Sequence, residues 1–371
     1  MKVAHILNEV RFSGAEVMLA AAANNFLSVG PAMVIGAGDR LGDFAPNLSE
    51  AGYQIAHKPF SRSPLYFASL GRFLQNENVN LVHIHTERRA LSFSLMTRRY
   101  GFASVRTIHN EFNFEGQLRL RRLITRRAAQ AAGTVHVSCS PSVQHNELAR
   151  YGLKTELINN WMDPERVPLP SENMRDAARS ALGLDRNILV ALSLANEAPA
   201  KNLGALFRGV IEAVKRGVNM RLYHCGMIGP DLQRLASEAP HGSILALGTV
   251  SDVRSYLSAS DFFLSTSLNE GGQISLLEAA AAGLTCITTK VGIAGAFDGR
   301  PAMHFIGPDA DALADALVAA AQRDSTVAQK EGQLLASWAR GYFVPERGAR
   351  EYRELYERQV HRNDLRQRRQ D

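Results

Sequence analysis

At 371 residues with 46% hydrophobic content, the chain has material for two packed domains of ~150–200 residues rather than one, and no apolar run approaches the ~18–20 residues of a spanning helix. Cys139, Cys225 and Cys286 have no pair spacing, which excludes a disulfide framework or thiolate metal site and fits a reducing compartment. The net charge of +6, with a pI of about 9.3, suits an anionic partner such as nucleotide phosphate, an acidic membrane or nucleic acid, but a solvated basic surface explains it as simply.

The opening MKVAHILNEV is too short in its apolar part for a signal-peptide core and reads as a first β-strand at 2–7. Further strands are predicted at 32–36, 53–57, 81–86, 105–109, 134–139 and 155–158. A second set follows at 188–194, 220–225, 243–247, 261–266, 285–290 and 303–306. Helix-compatible sequence lies after most of them. Such alternation argues for parallel sheets covered on both faces, and two sets predict two doubly wound domains. The boundary falls near 160–185, where Pro164, Pro168 and Pro170 mark an extended connector. ALADALVAAA at 312–321 reads as a packed helix, capped by Asp309 or Asp311. After Pro345 a helix runs to 360 with Tyr352 and Tyr356 on one face, so it needs a surface to pack on. The basic stretch 361–371 is expected to fray.

Chemistry concentrates in LNEGGQISLLEAAAAG at 268–283. Gly271 and Gly272 allow unusual backbone angles and close approach of a ligand. Gln273, Ile274 and Ser275 then present N–H groups at a helix start, where an anion binds readily. Glu270 before the turn and Glu278 one turn into the helix can accept hydrogen bonds from hydroxyls on either side. Acids near a helix N-terminus also simply favour its dipole, and for Glu278 alone that reading is as good. In the 115–131 segment, Leu120, Leu123, Ile124 and Ala128 form one side of a helix and Arg119, Arg122 and Arg126 group on the other, with Arg121 and Arg127 adding charge. Such a helix lies on an anionic membrane, or packs its apolar side on the sheet and shows its arginines to water. The aromatic interleaving of single-strand nucleic-acid binders is missing, so no nucleic-acid partner is expected. A Gly-x-Gly-x-x-Gly turn is also missing, which disfavours a dehydrogenase. Histidine and cysteine spacing suggests no metal, and the aspartates of DAD at 309–311 read better as a helix cap.

The segment EGGQISLLEAAAAGLT resembles the signature of glycosyltransferase family 4, retaining enzymes of the GT-B fold, in which two glutamates bracket seven residues. Other matches follow in the family's order: FSGAEVML at 12–19, VRTIHNEF at 105–112, SCSPSVQHNEL at 138–148, INNWMDPERV at 158–167, APAKNLGALF at 198–207, LGTVSDV at 247–253 and YRELYER at 352–358. The resemblance implies two Rossmann-like domains facing across a cleft. Residues 1–163 would form the acceptor side, with 345–360 packing back on it, and 164–344 would bind the nucleotide-sugar. It further implies that Glu278 binds the donor ribose, Glu270 the donor sugar, and the backbone of 271–275 the diphosphate and sugar. Lys201 would neutralise the leaving diphosphate. Gly14 would let a loop approach the phosphates or acceptor, His109 would lie near the reacting sugar, and Thr249 and Val250 would meet the base. Seen alone, Lys201 is a surface lysine, His109 a core histidine and Gly14 a turn glycine.

What the resemblance implies is transfer of a sugar from a nucleotide donor to a saccharide or lipid-linked saccharide, with retention; the residue spacing leads to no expected metal or other cofactor. The setting would be bacterial surface polysaccharide or lipopolysaccharide synthesis, in the cytoplasm or peripherally at the inner membrane face. Three positions depart from the family: Ser13 and Trp161 replace glycines, and Asn196 replaces an arginine that would add a second cation beside Lys201. Asn196 keeps two rivals in view, a non-catalytic nucleotide- or partner-binding protein and a sugar-nucleotide epimerase.

Overall fold

The computed structural model describes residues 1–368 apart from 29, 170 and 186, so Pro170 of the connector and the last three residues of the basic tail lie outside the described residues. The chain divides into two units: Met1–Trp161 together with the stretch from Pro345 onward, and Met162–Val344.

The first unit is built on a parallel sheet of β1 (Val3–Leu7), β2 (Ala32–Gly36), β3 (Gln54–His57), β4 (Leu81–Ile84), β5 (Ala103–Ile108), β6 (Val135–Ser138) and β7 (Glu156–Leu157). Their order is β3-β2-β1-β4-β5-β6-β7. Every residue of β1 and β2 is buried, which is why both read as near-continuous apolar runs, broken only by His5, rather than alternating ones. One face of the sheet packs Ile6, Ile35 and Ile84 against Leu70, Leu74 and Phe93. The other packs Leu7 and Val34 against Leu19, Ala23 and Leu48. The order reverses between β1 and β4, so the carboxyl ends of these two strands form the unit's natural ligand crevice.

The helix Pro345–Gln367 belongs to this unit. Tyr352 and Tyr356 are buried, and their hydroxyls meet Thr107 Oγ1 at 2.7 Å and His83 Nδ1 at 2.6 Å. The helix does not fray at 361. Gln359 donates to the Gly133 carbonyl (2.6 Å), while Asn363 and Gln367 each donate to that of Gly101 (2.7 Å). Polar composition there satisfies turn carbonyls instead of marking a loose end. Trp161 likewise has a use where glycine is usual: its Nε1 donates to the Met18 carbonyl at 2.9 Å, and its ring fills the space above Gly348, where a Cβ would lie 2.1 Å from it.

The helix Gly116–Ala131 corrects the sequence reading. Arg126 is 2% exposed, whereas Leu120 and Ile124 are 59% and 55% exposed. Arg126 donates twice to Glu147, at 2.6 and 3.0 Å, and once to Glu87 at 3.0 Å. Arg106 also pairs with Glu87, and Arg122 approaches it at 3.7 Å. Buried Glu147 and partly buried Glu87, supplied by distant sequence, draw Arg126 inward, while Arg119 stays exposed. A helical wheel sorts residues by polarity and cannot see the two carboxylates.

The second unit holds a parallel sheet of β8 (Leu189–Leu194), β9 (Met220–Cys225), β10 (Ile244–Gly248), β11 (Phe262–Ser265), β12 (Thr285–Thr289) and β13 (Met303–Ile306) in the order β10-β9-β8-β11-β12-β13. Its switch point lies between β8 and β11. The helices Leu203–Lys215 and Ala310–Ala321 cover one face, meeting where a Cβ on Gly209 would lie 2.9 Å from Leu313 Cβ. Asp309 caps the second helix by accepting from Ala312 N at 2.8 Å. The other face is closed by the helix Ile274–Ala281, with Leu276, Leu277, Ala280 and Phe263 in its core.

Candidate active site

The loops after β8 and β11 leave adjacent strands at the switch point of the second unit. The first carries Lys201 and the second Glu270. Lys201 Nζ lies 2.7 and 2.8 Å from the two carboxylate oxygens of Glu270. Glu270 is buried and also accepts from Ser267 Oγ at 2.8 Å. A one-turn helix, Pro199–Lys201, followed by Asn202 in the left-handed region (φ 50°), aims the lysine. Asn202 in turn is fixed by its amide on the carbonyls of Thr266 and Pro308. A buried carboxylate thus orients the cation that any anion at this crevice would meet.

Gly271 and Gly272 do not adopt positive φ, contrary to expectation. The close approach is made by Gly292, at φ +59°, where a Cβ would lie 2.4 Å from the Gly271 carbonyl oxygen and 2.6 Å from Glu270 Cβ. Sequence reasoning missed this glycine, as it missed Ser267. Gln273 stands at the helix N-cap and donates from Nε2 to Ser265 Oγ at 3.0 Å, while its buried Oε1 lacks a partner. Ile274 and Ser275 are the first two helical residues, so their N–H groups have no intrahelical acceptor.

Glu278 follows on the same helix and is buried. Burial pushes its carboxyl up to about 7, with Arg166 opposing the shift and Asp163 adding to it. The folded chain therefore holds this proton to about pH 7, whereas an ordinary carboxyl releases it near 4.5. Between those values the folded state binds more protons than the unfolded one, so stability falls as pH rises. Glu278→Gln is expected to raise the unfolding free energy by on the order of 3 kcal/mol at pH 8 and by little at pH 5. Urea denaturation at both pH values measures this.

Asn196, after β8, is exposed and accepts with Oδ1 from Met227 N at 2.9 Å. It braces the loop after β9 and adds no charge. Thr249 and Val250 follow β10. Thr249 is exposed, and Val250 packs partly buried against the core that contains Leu276 and Leu277.

In the first unit, Gly14 opens the helix Gly14–Ala21 at the carboxyl end of β1, with ordinary backbone angles. Ser13 replaces the usual glycine and donates its hydroxyl to buried Glu16 three residues on, tying down the helix start. His109 follows β5. Its Nε2 meets His85 Nδ1 at 3.0 Å, and His85 Nε2 meets His5 Nδ1 at 3.1 Å. Ring nitrogens of His5, His83 and His85 lie within 4.8 Å of one another, a spacing open to a metal ion that sequence spacing did not reveal. Both nitrogens of His83 are already engaged, by Tyr356 and Thr107.

Two family models match the chain: Glycosyltransferase Family 4 over residues 12–166 and Glycosyl transferases group 1 over residues 186–323. Among curated proteins, EpsF of Bacillus subtilis (strain 168) is 27% identical over 241 residues, 61% of this chain and 62% of that protein. The UDP-Gal:alpha-D-GlcNAc-diphosphoundecaprenol alpha-1,3-galactosyltransferase of Escherichia coli is 27% identical over 243 residues, covering 60% of this chain and 61% of that one. The matched region thus spans about six tenths of these relatives' length. In fold the chain is similar to Anabaena Alr3699/HepE, solved in complex with UDP, with a TM-score of 0.80 at 17% identity over 96% of this chain and 100% of the other.

Proposed function

Since the chain belongs to glycosyltransferase family 4 and has its α/β GT-B fold, we propose that it transfers a sugar from a nucleotide-diphosphate donor to a hydroxyl of a saccharide or lipid-linked saccharide. The observation that carries this reading is the Lys201–Glu270 pair at the switch point, beside a helix whose first turns hold open N–H groups and the buried carboxyl of Glu278. In this reading the N–H groups of Ile274 and Ser275 receive the diphosphate, and Lys201 takes up negative charge as the sugar–phosphate bond breaks. Glu270 keeps Lys201 in place and accepts from sugar hydroxyls. Glu278 accepts from the ribose hydroxyls, and Thr249 and Val250 offer backbone to the base. Gly14 and His109 are read as substrate contacts belonging to the first unit, Gly14 for phosphate or acceptor and His109 for the reacting sugar. No metal or other cofactor takes part in this reading.

Transfer with retention follows from same-face attack, the departing diphosphate assisting removal of the acceptor proton. The name of one relative, the Escherichia coli galactosyltransferase, gives a diphosphoundecaprenol-linked GlcNAc as what that enzyme acts on, which supports a lipid-linked acceptor and a role in bacterial surface polysaccharide synthesis here. Among the described residues no helix is long and apolar enough to cross a membrane. The outward face of the helix Gly116–Ala131 instead combines Leu120 and Ile124 with Arg121 and Arg127, the composition of a surface that sits on anionic lipid from the cytoplasmic side.

The test of this reading is product analysis with a membrane-lipid extract as acceptor source and the donor identified by turnover. A lipid-linked product whose new linkage keeps the donor's anomeric configuration by proton NMR supports it. An inverted linkage, or a trapped covalent glycosyl-enzyme, refutes the mechanism. Binding of a donor with no turnover under any condition supports the non-catalytic reading, which Asn196 favours because it adds no charge where the family has an arginine.

Gly292→Ala is expected to weaken donor binding about tenfold or more, because the added Cβ displaces Glu270 and Gly271. Calorimetric titration with the donor, alongside an unchanged far-ultraviolet circular dichroism spectrum, checks it.

A further inference from the structure

A chain of histidines, His5 buried and His85 and His109 partly buried, runs through the switch point of the first unit. His5 lies on β1, opposite His83 of β4 in the strand register. Its Nδ1 meets His85 Nε2 at 3.1 Å, and His85 Nδ1 meets His109 Nε2 at 3.0 Å. The His5 and His85 rings stack, as do those of His85 and His109, at centroid separations of 5.4 and 5.2 Å. Only one proton fits in each N···N contact, so the three tautomers are coupled.

The far end of the chain fixes their direction. His5 Nε2 is buried without a hydrogen-bond partner, and the ring sits among Phe26, Tyr53 and His83. A buried N–H without an acceptor is rarer in folded proteins than a bare lone pair, because it forfeits a strong bond to water. His5 therefore carries its proton on Nδ1 and donates to His85. A neutral His85 must then carry its own on Nδ1 and donate to His109 Nε2. That leaves the single proton of His109 on Nδ1, the nitrogen outside the chain.

We propose that His5 and His85 are positioning residues that hold His109 as its Nδ1–H tautomer, so that His109 offers a substrate oxygen a fixed hydrogen-bond donor and is no general base. The three rings are neutral as this requires. Burial pushes His5 down to about 3 and His109 to about 4, the latter helped by Arg106. Burial and then the neighbouring histidines hold His85 well below the usual range. The inference rests on the reading of His109 as a substrate contact only for its kinetic consequence. The tautomer itself is independent of that reading.

Full-length protein labelled with 15N-histidine reports the protonated nitrogen of each ring through long-range 15N–1H correlation. The expected spectrum shows His5, His85 and His109 neutral at pH 7.5, each protonated on Nδ1. In His5→Phe the donor at the head of the chain is lost, and His85 and His109 give mixed tautomers. In His5→Asn the side-chain N–H replaces Nδ1–H, and the wild-type pattern returns at His109. Turnover of the donor should follow, with kcat down roughly tenfold in His5→Phe, the donor KM unchanged, and recovery in His5→Asn. A wild-type His109 protonated on Nε2, or a pattern unmoved by His5→Phe, overturns the proposal. So does one zinc per chain retained by the wild type and lost in His5→Asn. If no variant or wild type turns over any donor, the proposed reaction fails while the ring spectrum still decides the tautomer.

Discussion

Lys201→Ala is expected to lower turnover of the nucleotide-sugar donor by roughly 10²–10³-fold, with a smaller change in donor KM. The argument is electrostatic. Charge grows on the diphosphate as the sugar leaves, so a cation held at that point is worth more in the transition state than in the ground state. Asn196 stands where family members place an arginine and carries no charge. Loss of Lys201 is therefore not covered by that neighbour. The same substitution leaves the buried Glu270 with Ser267 in place of a cation. Because Lys201 is itself 29% exposed in its side chain, the stability cost is discounted to about 1–3 kcal/mol. Adding Glu270→Gln in the same chain should recover most of that stability and none of the turnover. Steady-state kinetics and urea unfolding on the single and double variants separate the two effects. A Lys201→Ala protein with unchanged kcat would remove the lysine from the chemistry.

Arg126→Ala should destabilise the protein by about 3–5 kcal/mol, while Leu120→Gln on the same helix should stay within about 0.5 kcal/mol. Arg126 is the link between Glu147 and Glu87, and Glu147 is completely buried. Burial already pushes the Glu147 carboxyl up, against the hydrogen bonds and charge of Arg126. Without the guanidinium it takes up a proton more readily, so the destabilisation should shrink as pH falls. The sequence reading, with arginines outward, predicts the opposite ranking of the two variants. Urea midpoints at pH 8 and pH 5 distinguish them. The exposed Leu120 and Ile124 are then free for another role, and their replacement by glutamate should weaken sedimentation with anionic vesicles without loss of stability.

The strands were legible because parallel sheets bury both faces, so VAHIL, AMVIG and TCITT stand out as short runs of β-branched and apolar residues, with few charges, between helical stretches. The cap at Asp309 and the buried pair Tyr352 and Tyr356 were legible for local reasons, a side chain one turn ahead of a helix and a four-residue spacing. What stayed hidden depends on partners far away in sequence. Lys201 and Glu270 are 69 residues apart, and nothing in either segment announces the other apart from the family resemblance. His5 and His85 are 80 apart, and only the strand order brings them together. Gly292 looks like any turn glycine until the loop after β11 is placed against it. Arg126 of 116–131 was misread for the same reason, since burial of a charge is decided by the carboxylates around it rather than by its own side chain.

The measurement that bears most directly on the central claim is release of nucleoside diphosphate from a panel of UDP-, GDP- and ADP-sugars by the purified chain, alone and with a membrane-lipid extract. Glu270→Ala and Lys201→Ala are run beside it. The account predicts release from one donor, stimulated by the lipid fraction and lost in both variants. Release that persists in both variants, or a donor that binds without release in every condition, would contradict it.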